Sequence, residues 1–197
     1  MKKYFFLPAI LIATLFSCNK EDTKLPIQSQ NFEINSTSST KWKYFSFASN
    51  DTVTVADPTH SNTWDLAFQR NRIKTNGGES GNGSGSAANS YQKGQIGFDA
   101  LKIVADTTTF LADISVSIAV QQGYANYVIN PVLNTWFSLE FATQGTQIVP
   151  RDYIYIVKTA TGKYSKVWIK SYYSATNLSG YVTFQYKYQP DGSRNLE

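Results

Sequence analysis

Sulfur and imidazole side chains are nearly absent from this chain of 197 residues, which has one cysteine, one methionine and one histidine. The single cysteine, Cys18, cannot form a disulfide within the chain. A Ser-His-Asp hydrolase could use only His60, and no serine lies in a G-x-S-x-G motif. A carboxylate pair for glycoside hydrolysis depends on spacing in three dimensions, and no motif supports one. We therefore predict that the protein is not an enzyme, and a hydrolase is the least favoured hypothesis.

Charge is also scarce, since Asp, Glu, Lys and Arg make up 16% of the residues and the formal net charge is +4. Lysine and arginine are scattered, and no basic run is longer than Lys2 and Lys3 at the start. A protein that binds nucleic acid usually shows a clustered basic face. The sequence therefore argues against a nucleic-acid partner.

A short apolar run follows the first lysines, from Tyr4 to Phe16. It is shorter than the roughly 20 residues that a membrane-spanning helix needs, and its basic start is typical of a signal peptide. Leu-Phe-Ser before Cys18 resembles the lipobox of bacterial lipoproteins. We predict a signal peptide at residues 1–17 and a lipid anchor on Cys18.

The residues after Cys18 read Asn-Lys-Glu-Asp and resemble the surface-export signal of lipoproteins in Bacteroidetes-type bacteria. A polar tether beside any lipidated cysteine would look similar, so a generic outer-membrane anchor is the alternative. We expect a flexible tether at 18–31, one domain at 32–190 and a C-terminal tail at 191–197, with the protein lipid-anchored at the outer membrane and facing the exterior.

The rest of the chain is rich in aromatic residues, with 13 Tyr, 12 Phe and 4 Trp. Apolar residues alternate with polar ones in many short segments, and Val182, Phe184 and Tyr186 share one predicted face. Turn residues separate these segments, as in the stretch 159–163 around Gly162. A helix is hinted at only between Phe98 and Asp113. We predict an all-β fold, a single domain of many short antiparallel strands with little helix.

The stretch from Thr75 to Ala87, TNGGESGNGSGSA, has the glycine content of a phosphate-binding loop. A P-loop needs G-x-x-x-x-G-K-[ST] at the start of a helix, and a dinucleotide site needs G-x-G-x-x-G in a βαβ unit. This stretch has neither pattern. Phosphate binding is therefore disfavoured, and an architectural turn is the better interpretation.

Together with the segments KWKYFSF and TWDLAFQR, the glycine stretch resembles the HmuY-like lipoproteins of Bacteroidetes. The family's pattern is a W-x-Y-F-S-F strand, then a W-D-[LM]-A-[LF]-x-R strand, then a strand ending in N-x-G-E-S-G. The matching positions are Trp42, Tyr44, Phe45, Ser46, Phe47, Trp64, Asp65, Leu66, Ala67, Arg70, Asn76, Gly78, Glu79, Ser80 and Gly81. The resemblance extends, less specifically, to the closing segments from Tyr153 to Tyr188.

This resemblance implies a mostly-β, non-enzymatic protein that binds haem or a related porphyrin for iron and haem acquisition. It also implies a TonB-dependent outer-membrane receptor as a partner. In such a fold the Trp-Asp strand is architectural. We expect Asp65 to form a hydrogen-bonded ion pair with Arg70 or Arg72, its nearest cations along the chain.

The family's usual axial ligands, His with His or Met with Met, do not carry over to this sequence. The two ligand loops correspond to about 120–131 and 139–150, and neither contains His, Met or Cys. Tyr124 and Tyr127 are the remaining candidates for cofactor binding, although a tyrosinate ligand needs a neighbouring base or arginine and the sequence identifies none.

Three hypotheses follow. The protein binds haem or a porphyrin with non-standard or absent axial ligation, or it binds another ligand such as a glycan or a host protein, or it is an enzyme. No metal-ligating residue is assigned.

Overall fold

The computed structural model describes residues 27–197 with the exception of 121 and 144. The predicted signal peptide, the lipid attachment site Cys18 and most of the predicted tether lie outside the described residues. Within them, strands dominate, so the predicted all-β fold is confirmed.

The largest sheet has five antiparallel strands in the spatial order β1-β13-β12-β11-β6. Its strands are β1 (Gln30–Asn35), β6 (Ser86–Lys93), β11 (Tyr153–Lys158), β12 (Tyr164–Tyr173) and β13 (Ser179–Gln189). The turn between β11 and β12 closes with Gly162 at a φ of 81°, a backbone conformation that favours glycine. The predicted hairpin turn at 159–163 is therefore confirmed.

A second sheet has four antiparallel strands in the order β3-β2-β4-β5. They are β2 (Lys43–Ser46), β3 (Asp51–Val53), β4 (Leu66–Gln69) and β5 (Arg72–Thr75). The two sheets meet through aromatic rings, because Phe184 of β13 lies 5.2 Å from Phe45 and 5.5 Å from Phe68, centroid to centroid. The predicted face of Val182, Phe184 and Tyr186 forms part of this core. Such ring pairs add to the free energy of burying apolar area.

Two further hairpins each pair only within themselves in the described part of the chain. The first hairpin consists of β7 (Ile114–Val120) and β8 (Gly123–Ile129). The second hairpin consists of β9 (Phe137–Ala142) and β10 (Gly145–Pro150). The segments expected to be ligand loops are therefore largely strands.

The helix α1 runs from Gly94 to Ala100 and overlaps only the start of the segment where a helix was suggested. The β-branched residues from Ile103 onward lose side-chain freedom in a helix, which accounts for its early end. Lys166 of β12 is buried, and its Nζ donates to the carbonyl oxygens of Phe98 and Leu101, each at 2.6 Å. Burial lowers the pKa of Lys166 to about 8.

The C-terminal residues 191–197 are packed rather than a free tail. Leu196 is fully buried beside α1, and its backbone N–H donates to the carbonyl oxygen of Lys102 at 2.7 Å. At the other end of the described chain, the N–H of Ile27 donates to the carbonyl oxygen of Glu197. A buried apolar side chain and backbone hydrogen bonds therefore tie the two ends of the described chain to the fold.

The glycine stretch encloses the buried side chain of Asn76. The Asn76 amide donates to the carbonyl oxygens of Ser61 at 2.7 Å and Trp64 at 2.9 Å. The backbone carbonyl oxygen of Asn76 accepts from the N–H of Gly85 at 2.8 Å. A Cβ added to Gly85 would lie 2.4 Å from that backbone oxygen. These contacts support the architectural interpretation of the glycine stretch.

Candidate functional site

Both hairpins have one apolar face, as their pairing registers show. In the first hairpin Val116 lies opposite Tyr127 and Ile118 opposite Ala125, so these four side chains share a face. In the second hairpin Leu139 lies opposite Ile148 on one face, and Phe141 lies opposite Thr146 on the same face. Leu139 and Phe141 are mostly exposed, at 57% and 89%. Each hairpin therefore presents apolar surface that the described fold leaves partly uncovered.

One end of each face reaches a cleft of about 520 Å³, which we call the hairpin cleft. Tyr127 from the first hairpin and Thr146 and Ile148 from the second lie on its walls. The rest of the lining is mainly polar and consists of Ser39, Arg70, Asn71, Arg72 and Ser179 together with Tyr172 and Tyr173 of β12. The volume is within the usual range for small-molecule sites.

Arg70 occupies the turn between β4 and β5 with a φ of 54°, which is unusual for a residue with a side chain. Ser36 stabilises this conformation through two hydrogen bonds to the Arg70 backbone. Its carbonyl oxygen accepts from the Arg70 N–H at 2.7 Å, and its hydroxyl donates to the Arg70 carbonyl oxygen at 2.9 Å. The guanidinium donates to the carbonyl oxygen of Thr37 and to the hydroxyl of Ser179. The side chain is therefore directed to the cleft at the cost of backbone strain.

Arg72 begins β5, and its guanidinium carbon lies 3.9 Å from the ring centroid of Tyr127. Its Nε and one terminal nitrogen both donate to Oε1 of Gln69, at 3.3 and 3.1 Å. Burial lowers the pKa of Arg72, and the like charge of Arg70 acts in the same direction, while Tyr127 and Tyr172 oppose the shift. An arginine nevertheless stays charged at neutral pH.

Tyr172 and Tyr173 of β12 also line the cleft, and Tyr173 contacts the second hairpin. The hydroxyl oxygen of Tyr173 accepts from the backbone N–H of Ile148 at 3.0 Å. Tyr172 is buried, and burial raises the pKa of its phenol. Tyr172 is therefore a neutral phenol at pH 7, with the guanidinium of Arg70 5.8 Å from its ring centroid.

The first hairpin is attached at its base by Asp113, which precedes β7. The buried carboxylate accepts from the N–H of Thr75 at 2.8 Å, from the Thr75 hydroxyl at 2.6 Å and from the amide of Asn130 at 3.0 Å. Burial raises the pKa of Asp113, and these hydrogen bonds oppose the rise. One wall of the cleft is thus fixed to the end of β5 by a hydrogen-bonded carboxylate.

The predicted cofactor-binding residues Tyr124 and Tyr127 both lie in β8, three positions apart. Because side chains alternate between the two faces of a strand, they point to opposite sides of the first hairpin. Tyr127 lines the hairpin cleft, whereas Tyr124 is 77% exposed and is not part of its lining. The sequence identified no cationic neighbour for Tyr127, and the structure places Arg72 against its ring.

The expected ion pair between Asp65 and Arg70 or Arg72 is not formed. Asp65 is buried and accepts from the backbone N–H groups of Phe47 at 2.9 Å and Ala160 at 3.1 Å. Asp65 precedes β4 while the arginines follow it, and a strand advances about 3.3 Å per residue. The carboxylate therefore joins the two sheets, and the arginines are left for the cleft.

Two other features of the sequence lie away from the cleft. His60 is exposed and its Nδ1 is 2.8 Å from a carboxylate oxygen of Asp57. Trp136 is buried, and its indole N–H donates to the carbonyl oxygen of Asn71. Among the described residues no group of three or more His, Cys, Asp or Glu could hold a metal ion.

A larger cavity of about 570 Å³ lies along β6, between Ala88 and Gln92 and the segment from Leu101 to Leu111. Its lining has no charged side chain, and neither Tyr124 nor Tyr127 reaches it. The hairpin cleft holds two cations and the predicted residue Tyr127, so it is the better candidate for binding an anionic ligand. Over the described part of the chain, no helix has the length and apolar character needed to cross a membrane.

Comparison with protein families finds a match to the family described as HmuY protein over residues 38–186. Among solved structures, the apo HmuY analog of Tannerella forsythia has 19% identity and a TM-score of 0.65, covering 86% of this chain and 100% of its own. A candidate lipoprotein of Bacteroides fragilis has 22% identity and a TM-score of 0.62, covering 82% of this chain and 91% of its own.

A candidate HmuY-like haem-binding protein of Bacteroides vulgatus has 22% identity and a TM-score of 0.59, covering 80% of this chain and 90% of its own. A search of curated proteins finds no match. At these identities the structural likeness establishes the fold, and the family match covers most of the chain.

Proposed function

Since the chain belongs to the HmuY protein family, we propose that it is a lipid-anchored surface protein that binds haem or a related porphyrin in the hairpin cleft. The observation that carries this proposal is the meeting of Tyr127 and Ile148, one from each hairpin, with Arg70 and Arg72 in one cavity. Haem and its relatives are flat, apolar rings that carry carboxylate groups on one edge. The tyrosine rings and Ile148 offer contact for the flat ring, and guanidinium groups suit the carboxylates.

The side chains that line the cleft do not match the usual donors to haem iron. Those donors are His, Met, Cys thiolate or, in some proteins, Tyr, and the described lining contains only the phenols of Tyr127, Tyr172 and Tyr173. Of these, Tyr173 already accepts a backbone hydrogen bond and Tyr172 is buried with a raised pKa. The residues present fit the ring and its carboxylates but not a standard pair of axial ligands.

Location and partners complete the proposal. Cys18 would carry the lipid, the acidic segment after it would direct the protein to the cell exterior, and a TonB-dependent outer-membrane receptor would accept the ligand. The absence of catalytic motifs in the sequence supports a binding role rather than catalysis.

A titration with ferric haem tests the proposal, using residues 19–197, which retain every described element of the fold. Quenching of tryptophan fluorescence should saturate at one ligand per chain. Thr146→Trp should weaken binding because Thr146 lines the cleft. Gln147→Trp is the matched control, since Gln147 is exposed on the opposite face of the same strand.

Equal binding by both variants, or no saturable binding, would contradict the proposal. The alternative is that the fold holds another ligand, a glycan or a host protein, for which the exposed rings of Phe141 and Tyr124 provide contact surface. Absence of haem binding together with a saturable response to an oligosaccharide would favour that alternative.

A further inference from the structure

Arg70 and Arg72, the arginine pair, have no carboxylate partner among the described residues. The ion pairs found there involve Asp57, Asp106 and Glu197, none of which lines the cleft. Both guanidinium groups instead donate to neutral oxygens, those of Thr37, Ser179 and Gln69. Two positive charges therefore face one cavity without compensation.

The pair also keeps most of its hydrogen-bonding capacity. A guanidinium has five N–H donors, and each arginine uses two of them in the hydrogen bonds described above. Arg72 is half-buried against Tyr127, so its charge is only partly solvated. An anion that enters the cleft would replace the lost water contacts with charge-assisted hydrogen bonds, and it would pair with both guanidinium groups at once.

The lining holds no histidine, methionine or cysteine that could bind the metal of a metalloporphyrin. The single histidine of the chain, His60, lies in an exposed loop and is hydrogen-bonded to Asp57. Tyr127 presents its ring to Arg72, and the hydroxyl of Tyr173 is engaged by the backbone of β10. The polar groups available to a ligand are thus suited to its charged edge and not to its centre.

We infer that the hairpin cleft selects tetrapyrroles by their carboxylate groups, which pair with Arg70 and Arg72, and binds the iron-free ring as tightly as haem. This inference rests on the proposed porphyrin binding and specifies its ligand as a carboxylated ring with or without a metal. Tyr127 and Ile148 of the hairpin walls contribute apolar contact, and the arginine pair sets which edge of the ring enters first.

Three probes test the inference: ferric haem, iron-free protoporphyrin, and the dimethyl ester of protoporphyrin, in which both carboxylates are neutral. Each is titrated by tryptophan quenching into residues 19–197. Affinities for haem and the iron-free ring should agree within about threefold. The diester should bind more weakly than the free acid by a factor of about ten or greater, because its charge-assisted hydrogen bonds are lost.

Arg72→Gln should weaken haem and the iron-free ring to the same extent, about tenfold, and should leave the diester nearly unchanged. Lys93→Gln, an exposed change outside the cleft, is the control and should affect no probe. Arg70→Gln provides a second variant, and thermal unfolding of each variant identifies any loss of fold.

The outcomes separate the inference from the proposed function. Haem that binds 30-fold or more tightly than the iron-free ring would overturn the inference and leave porphyrin binding intact. A diester that binds as well as the free acid would overturn the role of the arginine pair. Failure of all three probes to bind would overturn the proposed function itself.

Discussion

The guanidinium of Arg72 lies 3.9 Å from the centre of the Tyr127 ring, and this contact joins the start of β5 to the first hairpin. A cation over an aromatic face contributes about 0.5–2 kcal/mol, more when partly desolvated. The contact therefore fixes both the orientation of the ring on the cleft wall and the position of the charge beside it.

Tyr127 and Tyr124 should differ in their effect on ligand binding because they lie on opposite faces of β8. Tyr127→Ala removes a ring from the cleft and should weaken porphyrin binding about tenfold, whereas Tyr124→Ala should leave it within about twofold. Tyr127→Phe keeps the ring and should leave the Soret band of the haem complex unchanged. Loss of the band in Tyr127→Phe alone would instead indicate a phenolate bound to iron.

Asp65 should make stability depend on pH in a defined direction. Burial raises its pKa above the ordinary value of 3.8, and the hydrogen bonds from Phe47 and Ala160 oppose the rise. The folded protein therefore holds this proton more tightly than the unfolded chain, so the stability from Asp65 is fully present below pH 3.8 and is lost as the pH rises through the folded pKa.

The measurement is the free energy of unfolding in urea for the wild type and for Asp65→Asn, taken between pH 3 and 7. The quantity compared across pH is the wild-type value minus the variant value. The difference should become less favourable to the wild type as the pH rises. Asp113→Asn should show the same sign, since burial also raises the pKa of Asp113. A difference that grows in favour of the wild type with rising pH would contradict the assignment.

Gly85→Ala should destabilise the protein by about 3 kcal/mol, the upper range for overpacking. The added Cβ would lie 2.4 Å from the backbone carbonyl carbon and oxygen of Asn76, which cannot rotate away. Ser84→Ala, next to it and exposed, should cost less than about 0.5 kcal/mol. Equal free energies of unfolding for the two variants would show that the glycine stretch is not tightly packed around Asn76.

Cys18→Ser should release the protein from the membrane fraction, because the predicted lipid on Cys18 holds it there. Burial of acyl chains contributes about 0.8 kcal/mol per methylene, so a protein without them should appear in the soluble fraction. Fractionation of cells followed by detection of the chain measures this. Membrane retention of the variant equal to wild type would contradict the lipid anchor.

Most strands of the two sheets could be predicted from the sequence because their alternation is regular and aromatic, whereas β1 and β6 were not predicted. Val182, Phe184 and Tyr186 share a face in the sequence pattern and share the core in the structure. The strands β8 and β10 were not predicted, since Gly123, Asn126 and Gly145 interrupt the apolar alternation. Their pairing comes from the neighbouring strands β7 and β9 rather than from their own composition.

The arginine pair was the part of the site that sequence reasoning missed. Proximity along the chain suggested Asp65 as the partner of Arg70 and Arg72, but β4 separates them and the buried carboxylate is satisfied by backbone donors. The residues that do share the cleft with the arginines, such as Tyr127 and Ile148, are more than fifty positions away. Only the pairing of distant strands brings these groups together.

The separate pairing of the two hairpins has a consequence for how a ligand enters. Neither hairpin shares a backbone ladder with the two larger sheets in the described chain, and an isolated two-stranded hairpin is only marginally stable. Each wall is therefore positioned by side-chain contacts rather than by a ladder of the core, at Asp113 and Tyr127 for one and at Tyr173 for the other. These few contacts set the separation of the walls that an entering ligand meets.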